Sequence, residues 1–104
     1  ITSRCHREAT PPRAPSGKKL MEVADVVIDN CGELGDAALS VPGCATKMMP
    51  TSSIANAFIV QAISVLAAEK IAALGIEPPV FVSLNGLADQ SVNDALYRQY
   101  TRLY

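Results

Sequence analysis

The run Pro50-Thr51-Ser52-Ser53 places three side-chain hydroxyls immediately before a long apolar stretch. If that stretch is a helix, the hydroxyls sit beside backbone N–H groups that the helix leaves without partners. The helix dipole adds partial positive charge, so a phosphate could be held there without a lysine in contact. The plain alternative is N-capping, which a single hydroxyl would satisfy. A second polar group, Asp29-Asn30, closes a β-branched run and would lie at the carboxyl end of a strand, where open α/β sheets bind ligands. Glu33, Asp36 and His6 are the side chains available for acid–base chemistry. Each has a bland reading, since the two carboxylates flank glycines in a loop and His6 lies in a basic segment.

The elements that would position these groups follow from the pattern of apolar and breaking residues. Residues 24–30 have a continuous apolar middle, as expected of a parallel strand covered on both faces. Residues 36–41 and 45–49 flank Pro42-Gly43 and read as a small β-hairpin. From Ile54 to Leu74 apolar residues cover more than one face, so the spacing predicts a central, buried helix over about 51–75, stopped by Gly75. Asn56, Gln61, Ser64, Glu69 and Lys70 interrupt this stretch and favour a core helix over a membrane span. Pro79 to Ser83 reads as a short edge segment. Ser91-Val92-Asn93-Asp94 resembles a capping box opening a helix over about 91–103, with Val92, Ala95, Leu96, Tyr100 and Leu103 on one stripe.

Residues 4–19 contain Pro11, Pro12, Pro15 and Gly17 and read as a long loop, not a helix. Arg4, Arg7, Arg13, Lys18 and Lys19 make it basic, either as a solvated surface or as a rim that steers anions. Overall the charge is −1, with 18% charged and 49% hydrophobic residues, which describes a globular chain without a global field for nucleic acid. The basic residues lack interleaved aromatics, so direct nucleic-acid contact is not expected. Cys5, Cys31 and Cys44 form an odd set without C-x-x-C spacing; this favours reduced cysteines, a cytoplasmic setting, and no metal or other cofactor. The chain opens on Ile1, has no signal-peptide apolar region, and reads as cut from something longer. Ile1-Thr2-Ser3 looks like the tip of a preceding strand.

The runs Ser16-Gly17-Lys18-Lys19-Leu20, Glu22 to Asn30, Gly35 to Leu39, Pro50 to Ile54 and Glu77 to Ser83, in that order, resemble the carboxyl-terminal half of a sugar isomerase (SIS) domain, particularly bacterial phosphosugar-binding members. The resemblance covers nearly all of residues 1–104. It implies part of a three-layer αβα fold with a parallel sheet between helices, normally about twice this length, and homodimers with sites near the subunit interface. It further implies a sugar-phosphate ligand contacted by Thr2 and Ser3 as well as Thr51, Ser52 and Ser53, with the main serine-rich phosphate loop outside this chain. Two histidines of the family pattern are replaced, at Ala14 and within Gln90 to Asn93, so the expectation is a phosphosugar-binding or sensing domain. An aldose–ketose isomerase and a ligand-free oligomerisation piece are the alternatives.

Overall fold

The computed structural model describes residues 1–86 and 89–101. The elements run α1 (Arg4–Ala9), a 3-10 turn (Leu20–Glu22), β1 (Ala37–Leu39), β2 (Met48–Pro50), α2 (Thr51–Ala73) and α3 (Gln90–Tyr100). Two compact units divide the chain, Ile1–Ile63 and Ser64–Tyr104, and α2 belongs partly to each.

In the first unit β1 and β2 pair antiparallel, with Ala37 opposite Pro50 and Leu39 opposite Met48. This hairpin turns about Pro42-Gly43, where Gly43 takes a φ of 81° that a side chain would resist. It is the two-stranded sheet of a small mixed α/β protein, not the parallel sheet of a three-layer αβα fold. The expected strand over residues 24–30 does not form. A strand exists only by pairing, and among the described residues Thr2 alone bridges this segment, in parallel register with Asp29. Thr2 N–H donates to Ile28 O at 3.0 Å and Asn30 N–H to Thr2 O at 2.9 Å.

The basic segment also departs from the loop expected of it, because its first six residues form α1. Ser3 caps that helix, and the prolines begin only after Thr10. Thr10 is extended, as a residue before proline prefers, and so ends the helix without preventing it.

α2 begins at Thr51 and stops at a glycine, as its sequence dictates. Gly75, at φ 74°, donates to Ala72 O, and Ile76 N–H reaches back to Ile71 O at 3.3 Å, the paired bonds of a Schellman ending. The expected burial is overturned. Apolar residues spread around the helix with no single stripe, yet none of its residues is buried, and Phe58 is 73% exposed. By length and composition α2 could also cross a membrane. Among the described residues no large apolar side chain is buried anywhere.

In the second unit, residues 79–83 run without strand pairing towards α3. Asp89 caps α3 by accepting from Ser91 N–H at 2.9 Å, so the helix starts at Gln90. Leu103 of the expected apolar stripe lies outside the described residues. Asn93, the one buried polar or charged side chain among the described residues, donates to Val82 O and accepts from Val82 N–H, at 3.0 and 2.9 Å. Phe81 stacks at a tilt on Tyr97 with ring centroids 5.0 Å apart.

Candidate functional site

Hairpin geometry decides what happens at the start of α2. Asp36 precedes β1 and Thr51 follows β2, so antiparallel pairing brings the two ends together. Asp36 adopts a φ of 66°, a left-handed conformation that aspartate tolerates better than most residues. From there its carboxylate faces the first turn of α2. Ser52 N–H donates to Oδ1 and Ser52 Oγ to Oδ2, both at 2.7 Å, and Thr51 Oγ1 donates to Oδ1 at 3.2 Å. Thr51 N–H donates to Asp36 O at 2.7 Å. The Ser52 hydroxyl and amide hold the Asp36 carboxyl below its ordinary value, with smaller help from Thr51 and His6. The helix start is thus capped by an ionised side chain of the same chain, and Ser53 remains exposed.

A second knot lies around Gly32, which is buried. Its N–H donates to Asn30 Oδ1 at 3.0 Å, and Ser3 Oγ donates to its carbonyl at 2.8 Å. Any side chain here would press on Asn30 Oδ1, 3.1 Å from where a Cβ would stand. Asn30 Nδ2 in turn donates to Asn56 Oδ1 at 2.9 Å. Ser3 Oγ also accepts from His6 N–H at 3.2 Å, and Glu33 N–H donates to Thr51 Oγ1 at 3.2 Å. These bonds tie the amino-terminal strip, residues 30–36 and the start of α2 into one polar framework.

The framework encloses a cleft of about 210 Å³ lined by Thr2, Ser3, His6, Asn30, Gly32, Glu33, Asp36 and Ser52. Residues scattered over fifty positions of sequence meet there. Asp29 turns away from it: its Oδ1 accepts from Arg4 and Cys31 N–H at 3.0 Å, and those two bonds lower its pKa. It lines a separate depression with Arg4, Cys5, Glu8 and Cys31. Thr51 serves as a strut between Asp36 and Glu33. From sequence, Asn56 serves only as an interruption of the apolar run and Gly32 has no role at the site, although an asparagine two residues after Ile54 is a signal of a polar partner.

Thr2 and His6 also line a neighbouring cleft of about 250 Å³ walled by Arg7, Thr10, Arg13, Lys18 and Lys19, with no acidic residue in its lining. Arg7 Nη2 lies 3.7 Å from Glu22 Oε1, and Lys19 Nζ donates to the Arg7 carbonyl. Arg7 Nε is shut off from solvent without a hydrogen-bond partner. Among the described residues no three His, Cys, Asp or Glu side chains gather as metal ligands would.

Fold and site together define a small mixed α/β protein with a hydroxyl-, amide- and carboxylate-lined cleft beside a basic one. No protein-family model matches the chain. It is similar to a UPF0309 protein of Shouchella clausii (strain KSM-K16), 38% identical over 100 residues, which is 96% of this chain and 41% of the relative. A UPF0309 protein of Halalkalibacterium halodurans is 35% identical over 102 residues, 98% of this chain and 42% of the relative. One of Streptomyces griseus is 34% identical over 100 residues, 96% and 40%. The chain therefore spans about two fifths of the length of the curated relatives it matches. These matches correct the resemblance to sugar isomerase domains: nearly the whole chain aligns with UPF0309 proteins, and no such domain is indicated.

Proposed function

We propose that this chain contributes a binding site for a phosphorylated carbohydrate in the cytoplasm. The observation that supports this reading is the convergence of Thr2, Ser3, His6, Asn30, Glu33 and Ser52 on one cleft. Sugar hydroxyls are both donors and acceptors, and a wall mixing hydroxyl, amide and carboxylate groups satisfies them in both roles. Because Asn30, Ser3 and Ser52 are already fixed by hydrogen bonds within the protein, little side-chain ordering remains to oppose binding. Glu33 offers a carboxylate whose removal leaves that framework standing. Calorimetry of the full chain with a panel of hexose and amino-sugar phosphates is expected to show saturable heat, and Glu33→Gln to weaken it about tenfold, as loss of a charge-assisted bond does. Absence of heat above dilution across the panel would rule this reading out. The cytoplasmic setting rests on the three cysteines, which lack the number and spacing of a disulfide framework.

The chain also self-associates in this reading, because α2 and its surroundings expose apolar side chains such as Phe58, Val65, Leu66 and Leu74 to solvent. Light scattering should report dimers or larger species. The paired substitution Phe58→Ser and Val65→Ser, seven residues apart on one helix face, should raise the monomer fraction. A clean monomer of the parent chain contradicts the expectation.

A further inference from the structure

We propose that the basic cleft of Arg7, Arg13, Lys18 and Lys19 is an anion site that takes the phosphate of a small phosphomonoester. The proposal deepens the reading above and rests on it only for the carbohydrate part of the ligand. Four cationic side chains line one cleft whose lining contains no carboxylate, so an anion that enters it meets positive charge from several directions. Glu22 lies outside that lining, with its Oε1 3.7 Å from Arg7 Nη2. Arg7 Nε is left as a solvent-excluded donor with no acceptor, an unmet hydrogen-bonding demand in a residue that lines the cleft.

Arg13 and Lys18 line the same cleft from a segment that its prolines and local hydrogen bonds restrict. Proline fixes the backbone at positions 11, 12 and 15, Gly17 N–H donates to Ala14 O at 3.0 Å, and Lys18 N–H to Ser16 Oγ at 3.3 Å. The site is therefore partly organised before a ligand arrives. The other place in this unit suited to an anion, the start of α2, is already filled by the Asp36 carboxylate, which would repel a phosphate. Thr2 and His6 stand in the walls of both clefts. A phosphate beside Arg13 and Lys18 thus leaves a hydroxylated remainder directed past these two residues towards Asn30 and Glu33.

Calorimetry with inorganic phosphate and with glucose 6-phosphate tests the assignment on the full chain. The variant Arg13→Ala/Lys18→Ala alters exposed side chains and should bind inorganic phosphate about tenfold more weakly, with a shallower salt dependence. Lys47→Ala, an exposed lysine outside the lining of either cleft, should leave phosphate affinity unchanged. Equal phosphate affinity in the double variant and the parent, or no phosphate binding by the parent, overturns the proposal, as does loss of phosphate binding in Lys47→Ala. If the double variant behaves as expected while glucose 6-phosphate binds no more tightly than phosphate alone, the anion site stands and the carbohydrate reading fails.

Discussion

Asn93→Ala is expected to destabilise the second unit by about 2 kcal/mol, a fall in melting temperature of roughly 10 °C for a unit of this size. Asn93 is 5% exposed and makes both hydrogen bonds to Val82, one from its amide nitrogen and one to its amide oxygen. The amide of Asn93 offers a donor and an acceptor side by side, so it substitutes for the neighbouring strand that residues 79–83 lack. Alanine removes both partners at once and leaves a cavity. Since Val82 is half-exposed, water can reach its backbone, which keeps the loss below that of a fully buried pair. Asn93→Asp separates this account from simple loss of volume. Its carboxylate retains the acceptor for Val82 N–H but opposes a second oxygen to Val82 O. It should therefore be as damaging as alanine at neutral pH and partly recover in acid, where the protonated carboxyl can donate. Thermal melts of the two variants at pH 7 and pH 4 decide it; equal behaviour at both pH values would remove the hydrogen-bond explanation.

What could be read from the sequence is what local chemistry controls. Pro42-Gly43 between extended runs marked the hairpin, and Gly75 marked the end of α2, because a tight turn and a Schellman ending each need backbone freedom at one residue. Burial of α2 could not be read, since apolar residues all round a helix describe equally a helix inside a core and one whose cover is not part of the described residues. Residues 24–30 have strand-forming composition, but strand formation requires a partner, and Thr2 supplies one bridge only. α1 was hidden by the prolines that follow it, which constrain Thr10 onward and say nothing about residues 4–9. At the site, the hydroxyls of Thr51 and Ser52 were visible, but the group they hold was not. Asp36 reaches them across fifteen residues of chain, through a turn and a strand pairing, and no local pattern encodes that return.

Asp36 is accordingly the position where substitution should most change the first unit. Removing its carboxylate frees the Ser52 and Thr51 donors and withdraws the negative charge from the start of α2, so about one turn of the helix should fray. Backbone strain enters separately, because Asp36 sits at φ 66°. Glycine there relieves strain but caps nothing, alanine neither caps nor relieves, and asparagine tolerates the left-handed region and keeps an acceptor for Ser52 N–H. Helical circular dichroism at pH 7 should therefore rank parent, Asp36→Asn, Asp36→Gly, Asp36→Ala. Acid distinguishes charge from shape. The Asp36 carboxyl titrates below its ordinary value of 3.8, chiefly through the Ser52 hydroxyl and amide. Its contribution is then complete above about pH 4 and disappears as pH falls through the lower, folded value. Asp29 and Asp89 titrate in the same direction, so only the difference between parent and Asp36→Asn isolates Asp36. That difference should narrow as pH falls below 4 and hold steady between pH 5 and 7. A gap that persists unchanged to pH 2 would mean that the carboxylate supports α2 through its geometry alone.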